Sequence, residues 1–173
     1  MSSFALFDTP VGKCGVVWRD DGTIVGTQLP EGRAADTRAR LEARFEGATA
    51  STPPASVRTA VDRMIASLRG EADDLIDVDL DLSSLPPFQQ RVFEVVRHIP
   101  AGETMSYGEV AAAAGSPGAA RAVGQALGRN PFPIVIPCHR VLAAGGRLGG
   151  FTATGGVSVK AKMLAAEGVT PRA

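Results

Sequence analysis

A proline-rich break at Ser83-Ser-Leu-Pro-Pro87 divides the chain into two parts with different hydrophobic patterns. Before the break, short apolar runs between turn residues predict β-strands, together with two amphipathic helices. After it, apolar residues recur mainly at helical spacing. Because proline fixes its own backbone and disfavours helix in the residue before it, the first pattern ends at the break and the second begins after it. The sequence therefore predicts an α+β fold, with a small amino-terminal α/β domain over 1–83 and a mostly helical carboxy-terminal domain over 84–173.

The amino-terminal part alternates short apolar runs with turn residues, which is typical of an antiparallel β-hairpin sheet. Thr9-Pro-Val-Gly12 and Asp20-Asp-Gly22 supply the turn chemistry between its strands. Asp77 to Leu82 alternates polar and apolar residues, as a half-buried strand does. The predicted elements are strands at 4–7, 15–18 and 23–27, helices at 33–46 and 57–70, a breaker-rich loop at 48–54 and a strand at 77–82.

The carboxy-terminal part is predicted to contain a helix-turn-helix. Ser106, followed three residues later by Glu109, forms a capping box for a helix. Gly115-Ser-Pro-Gly118 makes a tight turn between this helix and the next, which gives the order of elements in the motif. Because the motif also occurs in proteins that bind no nucleic acid, it favours DNA binding only weakly. The predicted helices cover 87–99, 106–114 and 119–129.

The chain has no net charge, but its charges are unevenly divided. Residues 1–85 contain 9 Lys/Arg and 14 Asp/Glu, a net charge of −5, whereas residues 86–173 contain 9 Lys/Arg and 4 Asp/Glu, a net charge of +5. If one part contacts phosphates, it is the second. Attraction between an acidic half and a basic half explains the same distribution, so the charges alone leave both interpretations open.

Only two cysteines, Cys14 and Cys138, and two histidines, His98 and His139, occur in the chain. This number argues against a disulfide framework, and the spacing matches no zinc site, so we expect no metal and no cofactor. No apolar run approaches the roughly 18 residues of a membrane span, and the first residues lack the features of a secretory signal. We therefore expect a cytoplasmic monomer with no membrane partner.

One segment combines a buried run with reactive side chains. Prolines at positions 131, 133 and 137 fix the backbone around Ile134-Val-Ile136, which is interpreted as buried extended chain. This run delivers Cys138 next to His139 and Arg140 at the edge of the core. A buried cysteine is usually inert, but a neighbouring cation lowers the pKa of a thiol from about 8.5 into a reactive range. Cys138 is therefore the candidate nucleophile.

The last predicted helix, from Ala119 to Arg129, is poor in bulky side chains. Small residues let its backbone approach a narrow surface such as the DNA minor groove, where Arg121 is then placed to enter the base stack. Close packing against a neighbouring helix requires the same small residues. On the helix alone, that second interpretation is favoured.

Several ordered motifs between 88 and 167 resemble the O6-alkylguanine-DNA alkyltransferases, also called methylated-DNA–protein-cysteine methyltransferases. Their order and spacing over about half of the chain make the resemblance specific. The amino-terminal part is similar to the variable domain of that family only in outline, through its hairpin and its closing strand. The motifs are Phe88-Gln-Gln-Arg-Val-Phe93, Gly102-Glu-Thr-Met-Ser-Tyr107, Ala119-Ala-Arg-Ala-Val-Gly124 and Asn130-Pro…Ile136-Pro-Cys-His-Arg-Val141.

The resemblance implies a role for each site residue. Cys138 resembles the alkyl acceptor, His139 a base acting through a water molecule, and Glu167 the carboxylate that orients this base, as in activated thiol catalysis. Tyr107 is similar to the phenol that protonates the leaving guanine, and Asn130 to the residue that holds the active-site turn. The implied DNA-binding residues are Arg121, which fills the gap left by the rotated nucleotide, and Ala120, Ala122, Gly124, Arg129 and Ser106. The implied substrate pocket contains Val141, Phe151, Thr152, Pro133 and Arg140.

The function implied is direct reversal of alkylation damage in double-stranded DNA, bound through its minor groove. The substrate would be O6-alkylguanine, with O4-alkylthymine as a further candidate, rotated out of the stack because its alkyl carbon lies inside the duplex. Transfer to Cys138 would be irreversible, since the sequence contains no chemistry that releases a thioether. Two features depart from the family: the loop from Gly149 to Gly156 is longer than usual, and the segment 83–87 lacks the usual Gly-Thr.

Two other functions are compatible with parts of the sequence. Alkyltransferase-like proteins bind the lesion without reacting and usually carry tryptophan where this chain has Cys138, so a nonenzymatic lesion-binding protein is the alternative. A Cys–His hydrolase needs a histidine from elsewhere in the chain, and His98 lies near the end of a predicted helix, where a structural or solvated role fits better. Cys14, beside a β-turn, is interpreted as a strand residue with no reaction to perform.

Overall fold

The structure is a computed structural model that describes residues 1–148 and 156–172. Its amino-terminal part contains a four-stranded sheet with strand order β3-β2-β1-β4. β1–β2 and β2–β3 are antiparallel pairs, as predicted, whereas β4 is parallel to β1. The loop predicted at 48–54 is therefore wrong in part, because β4 lies in it. The strands are β1 (Ser2–Thr9), β2 (Gly12–Arg19), β3 (Ile24–Gln28) and β4 (Thr49–Ala50).

The two helices that the helical spacing predicted are present, and they cover the two faces of this sheet. They are α1 (Ala34–Arg44) and α2 (Ala55–Leu68). Since successive strand residues point to opposite faces, β2 presents Val17 to one face and Val16 and Trp18 to the other. Val17 packs in a small cluster with Leu41 of α1. Val16 and Trp18 belong to the main core, together with α2.

The strand predicted at 77–82 is wrong. Within it, only Leu80 forms a bridge, with Ile24 at the start of β3. In this bridge the Ile24 N–H donates to the Asp79 carbonyl at 3.3 Å and the Asp81 N–H donates to the Ile24 carbonyl at 3.2 Å. The Asp81 carboxylate, which contributed to the polar alternation, accepts a hydrogen bond from Arg19 at 2.6 Å. The alternation therefore reflects side-chain hydrogen bonding and one bridge instead of a complete strand.

The carboxy-terminal part is helical, and the predicted helix-turn-helix is present as α4 and α5. The capping box is confirmed, because the Glu109 N–H donates to Ser106 Oγ at 3.0 Å and the Ser106 N–H donates to Glu109 Oε1 at 3.1 Å. Gly115 and Gly118 have φ values of 83° and 88° in the turn between the helices, which favours glycine. The helices are α3 (Pro87–Arg97), α4 (Tyr107–Ala113), α5 (Ala120–Gly128) and α6 (Gly156–Ala166).

One buried cluster joins the two parts of the chain. Trp18 of β2 and Met64 of α2 belong to the same cluster as Phe93 of α3 and Val123 of α5. The amino-terminal part therefore supports the helical part through a shared core. None of the helices in the described ranges combines the length and the apolar character needed to cross a membrane.

A short parallel pair of strands brings distant segments together at the site. β5 (Met105–Ser106) pairs with β6 (Val141–Leu142). Because β5 leads directly into α4 and β6 directly follows Arg140, the pairing places Tyr107 close to the turn that contains Cys138.

Candidate active site

Cys138 begins a single 3₁₀ turn, Cys138–Arg140, that follows the buried apolar run. The run is buried as predicted, but it is not extended, since residues 133–135 form a turn. Ile134 has a φ of 79°, in the left-handed region that β-branched residues rarely adopt. The prediction of extended chain is therefore wrong, because hydrogen bonds from within the segment and from the amino-terminal part hold it in a turn.

Asn130 supplies two of these hydrogen bonds from within the segment. Its Nδ2 donates to the Ile136 carbonyl at 3.0 Å, and its Oδ1 accepts from the Phe132 N–H at 2.9 Å. One side chain thus bridges both ends of the turn that precedes Cys138. This geometry supports the role of turn holder that the resemblance implied for Asn130.

Cys138 is 7% exposed and lines a cavity of about 130 Å³ between the two parts of the chain. Such a position combines a largely buried sulfur with space beside it. Residues from the carboxy-terminal part form one wall, and residues from the amino-terminal part form the other. The other lining residues are Gln28, Leu29, Glu31, Arg40, Arg44, Leu127, Gly128, Arg129, Asn130 and Pro133.

Burial raises the pKa of the Cys138 thiol, and several fixed polar groups act against that rise. They are a hydrogen bond from Asn130, the charge of Lys160, and backbone N–H groups of the turn. The expectation that the side chains of His139 and Arg140 lower this pKa is wrong. Arg140 is instead bound by Glu167, and burial keeps His139 neutral.

Glu167 binds both residues that follow Cys138. Its Oε1 lies 2.9 Å from His139 Nε2 and 2.7 Å from a terminal nitrogen of Arg140, and all three side chains are at most 4% exposed. Burial alone would raise the pKa of Glu167, but hydrogen bonds and charges from His139 and Arg140 outweigh it and lower the pKa to about 2. The carboxylate is therefore ionised at neutral pH.

The tautomer of His139 follows from this contact. Burial lowers the pKa of His139, despite the opposing effect of Glu167, so the ring is neutral near pH 7. An ionised carboxylate accepts only, so Nε2 carries the proton and Nδ1 is the basic nitrogen. Among the residues that the structure describes, Nδ1 has no hydrogen-bond partner. The ring is thus oriented by Glu167 and keeps one nitrogen able to accept a proton.

Arg140, predicted for the substrate pocket, directs its polar atoms elsewhere. Nε donates to Glu167 at 3.0 Å, and a terminal nitrogen donates to the Ile99 carbonyl at 2.6 Å. It is 2% exposed. The structure therefore supports Arg140 as a residue that fixes Glu167 against the end of α3.

Lys160 of α6 is a candidate site residue that the sequence analysis missed. It is 1% exposed, and its Nζ donates to the carbonyls of Val141 at 2.9 Å and Leu148 at 2.7 Å. Nζ also lies 5.9 Å from the centre of the Tyr107 ring. Lys160 lies about two helical turns before Glu167, which directly follows the end of α6, and this spacing is the signal that could have indicated it.

Tyr107 is half-buried at the start of α4, and burial, together with the nearby negative charge of an ionised Cys138, raises its pKa. It is therefore protonated at neutral pH and able to donate. Val141 is fully buried next to the active-site turn, and Pro133 lines the cavity. Phe151 and Thr152 lie outside the described residues.

The predicted DNA-binding residues are grouped on the helix-turn-helix. Arg121 is exposed in the first turn of α5, and Arg129 is exposed just after its end. Gly124 faces Tyr107, since a Cβ added there would lie 3.9 Å from the ring, which is ordinary contact. Gly124 thus lies beside Tyr107, and the same helix also presents an exposed arginine. Ala120, Ala122 and Ser106 are partly exposed on the same motif.

Other sequence-based interpretations are also resolved by the structure. Cys14 is a fully buried residue of β2, and burial raises its pKa to about 11. His98 lies at the end of α3, where Nδ1 is 2.8 Å from the Glu94 carbonyl. The predicted positions of Cys14 in a strand and of His98 near the end of a helix are thus confirmed. No group of three or more potential metal-binding side chains occurs within 1–148 and 156–172.

An oriented histidine beside a cysteine, joined to a helix-turn-helix, defines an activated-thiol protein with a motif common in DNA binding. Comparisons with known proteins agree. A family model described as "6-O-methylguanine DNA methyltransferase, DNA binding domain" matches residues 87–169. The methylated-DNA–protein-cysteine methyltransferase of Methanothermobacter thermautotrophicus is 40% identical over 166 residues, which cover 93% of this chain and 82% of that protein.

Solved structures are similar over nearly the whole chain. The crystal structure of Mycobacterium tuberculosis O6-methylguanine methyltransferase has a TM-score of 0.77 and 38% identity, covering 96% of this chain and 93% of that one. The structure of Mycobacterium tuberculosis OGT in complex with DNA has the same TM-score, 0.77, with 36% identity and the same coverage, 96% and 93%. The chain belongs to the O6-methylguanine-DNA methyltransferase family.

Proposed function

We propose that this protein repairs O6-alkylguanine in DNA by a single irreversible transfer of the alkyl group to Cys138. The observation that carries the proposal is the buried His139–Glu167 pair next to a cysteine that lines a cavity. The names of the relatives describe the same reaction, since they are methylated-DNA–protein-cysteine methyltransferases.

The first step is activation of the thiol. The Cys138 proton passes through a water molecule to Nδ1 of His139, and the Nε2 proton stays hydrogen-bonded to Glu167. The resulting imidazolium is stabilised by the ionised carboxylate 2.9 Å away. The thiolate is stabilised by the Asn130 amide and by the charge of Lys160. A thiolate is a far better nucleophile than a thiol, so this step makes transfer possible.

Alkyl transfer follows by displacement at the carbon bound to guanine O6. The sulfur–carbon bond forms as the carbon–oxygen bond breaks, and its electron pair passes into the guanine ring system. Tyr107 donates its phenolic proton to the ring, so that guanine leaves as the neutral base. Lys160 near the Tyr107 ring stabilises the phenolate that remains. The product is a thioether on Cys138, and the protein is consumed.

The helix-turn-helix brings the damaged base to the sulfur. We infer that α5 enters the minor groove, where its small residues Ala120, Ala122 and Gly124 allow close approach. Extrusion of a base costs a few kcal/mol, and weakened pairing at a lesion reduces that cost. Arg121, exposed in the first turn of α5, fills the gap and offsets part of the remainder. Ser106 and Arg129 bind the DNA backbone in this arrangement.

The test is the mass of the intact protein before and after incubation with duplex DNA containing one O6-methylguanine. We expect a gain of one methyl group per chain, located on a peptide that contains Cys138, and no second turnover. Duplex with unmodified guanine is the matched control. Tight lesion binding with no gain of mass would favour the nonenzymatic lesion-binding function, and repeated turnover would rule out suicide transfer. A parallel incubation with O4-methylthymine tests the second substrate.

A further inference from the structure

Thr27, in the amino-terminal sheet, binds the turn that leads to Cys138. Its backbone N–H donates to the Pro131 carbonyl at 2.9 Å, and its Oγ1 donates to the Pro133 carbonyl at 2.7 Å. Thr27 is fully buried. β3 is the edge strand of its sheet, so its outward-facing N–H groups are available to bind another segment. Here that segment is the active-site turn.

Arg44 of α1 strengthens the same contact. Its guanidinium donates to the Thr27 carbonyl at 2.6 Å, to Gln28 Oε1 at 2.7 Å and to the Pro131 carbonyl at 3.2 Å. The Pro131 carbonyl therefore accepts from both Thr27 and Arg44. One charged side chain thus ties the edge of the sheet to the turn.

The Thr27 hydroxyl binds the point at which the turn is most strained. The Pro133 carbonyl belongs to the peptide plane before Ile134, and the rotation of that plane about the N–Cα bond of Ile134 is its φ. A φ of 79° at a β-branched residue persists only where the surroundings hold it. The hydroxyl fixes this plane from outside the segment, while Asn130 fixes the Ile136 carbonyl from within.

We propose that Thr27, supported by Arg44, is a positioning residue for alkyl transfer. It touches neither substrate nor sulfur. By holding the Pro131 and Pro133 carbonyls, it keeps Ile134 left-handed and so sets the sulfur of Cys138 against the cavity. The inference rests on Cys138 being the alkyl acceptor. It assigns to the amino-terminal part a direct effect on the rate of transfer, beyond its support of the shared core.

Three variants test this positioning. Thr27→Val keeps a β-branched shape and the backbone N–H but removes the hydroxyl donor. Thr27→Ser restores the hydroxyl. Thr37→Val is the matched control, because Thr37 is also fully buried in the amino-terminal part and its hydroxyl accepts from the Glu31 N–H at 3.0 Å, away from the turn.

The measurements are the rate constant of methyl transfer at saturating methylated duplex, the half-saturating DNA concentration and the thermal midpoint. We expect Thr27→Val to slow transfer roughly tenfold or more, because small misplacements of reacting groups are costly. The half-saturating DNA concentration should not change, and Thr27→Ser should stay within about twofold of the wild-type rate constant. Thr37→Val should lower only the midpoint.

Two outcomes overturn the positioning role. One is a wild-type rate constant in Thr27→Val; the other is an equal slowing by Thr27→Val and Thr37→Val, which means a general loss of stability. If Thr27→Val does not fold, Arg44→Gln is the replacement test, because it removes the hydrogen bond from the guanidinium to the Pro131 carbonyl. An unchanged rate constant of methyl transfer in Arg44→Gln would then refute the proposal. Failure of the wild-type protein to transfer methyl to Cys138 refutes the proposed function instead.

Discussion

Cys14 lies in the amino-terminal part of the molecule and Cys138 in the carboxy-terminal part. Both are buried, but the groups that surround the two sulfurs differ. Both are less than 10% exposed, at 0% and 7%, and burial raises the pKa of both thiols. Cys14 contacts the Thr9 hydroxyl, 3.6 Å away at the end of the neighbouring strand β1. Cys138 has a side-chain amide, a buried ammonium and turn N–H groups around it, and a cavity beside it. Burial thus makes both thiols weaker acids. Cys138 also has several fixed polar groups that lower its pKa and a cavity beside its sulfur, and these make it the candidate nucleophile.

The backbones that carry the two cysteines also differ. Cys14 lies in a regular antiparallel ladder, opposite Phe7. Cys138 lies in a 3₁₀ turn held by side chains from other segments. A regular ladder orients a side chain into the core, whereas an irregular turn that is fixed from outside can orient it toward a pocket.

The largest expected effect comes from exchanging each sulfur for oxygen. Cys138→Ser should abolish methyl transfer, because a hydroxyl in this environment is a far weaker nucleophile than a thiolate. Cys14→Ser should leave the rate of transfer unchanged and lower stability by about 1–3 kcal/mol, through burial of a hydroxyl. Transfer of radiolabelled methyl from DNA checks both variants. Radiolabelled methyl on Cys14 would show that Cys14 also accepts the alkyl group, and would contradict the assignment of Cys138 as the acceptor.

Loss of the orienting carboxylate should have the next largest effect. Glu167→Gln leaves Arg140 buried without its ionic partner and no longer stabilises the His139 imidazolium. We expect transfer to slow about a hundredfold or more, and the free energy of unfolding to fall by about 3–5 kcal/mol. Single-turnover kinetics and urea unfolding measure the two effects. Glu94→Gln is the control, since Glu94 is 64% exposed, and an equal loss in that variant would contradict the assigned role.

Lys160 should affect the acidity of the thiol. Lys160→Met keeps the aliphatic length and removes a charge that lowers the pKa of Cys138. We expect alkylation of Cys138 by iodoacetamide to slow at neutral pH, with its pH profile displaced toward higher pH, because removal of the charge raises the pKa of the thiol. Lys162→Met, an exposed position on the same helix, is the matched control. An unchanged profile in Lys160→Met would show that the lysine only holds the backbone.

Arg121→Ala should separate base extrusion from chemistry. We expect repair of methylated duplex to weaken several-fold to about tenfold, because part of the cost of extrusion is no longer offset. Reaction with the free base O6-benzylguanine should be largely kept. Rates on the two substrates, measured side by side, test this. Equal losses on both would mean that Arg121 supports folding.

The smallest expected effect is on stability in mild acid. Burial lowers the pKa of His139 below its ordinary 6.5, so below that pH the unfolded chain binds a proton that the folded chain does not. The contribution of His139 to the free energy of unfolding is therefore highest above pH 6.5, and it falls as the pH drops below 6.5, by about 1.4 kcal/mol per pH unit. Urea unfolding at about pH 7.5 and 5.5 should show this loss in wild type and in His98→Gln, but less in His139→Gln. A loss of the same size in all three proteins would assign it to other groups.

The sequence by itself determined the elements whose signals are local. Helical spacing predicted α1 to α5, turn residues predicted the hairpin, and Ser106 with Glu109 predicted the capping box. Its motifs also indicated the family and the candidate acceptor. The helices, the hairpin and the capping box each depend on residues within about two turns of helix or one strand, where spacing indicates which side chains face the core.

Only the tertiary structure decided the conformation and surroundings of Cys138. The left-handed Ile134, the two carbonyls bound by Thr27 and the burial of Lys160 depend on contacts between segments far apart in the chain. The alternation at 77–82 predicted a strand, and the β-branched run at 134–136 predicted buried extended chain. Both predictions of backbone conformation were wrong for the same reason. A periodic pattern records burial, but whether a partner lies alongside, and which donors bind the backbone, is fixed only when the distant segments pack.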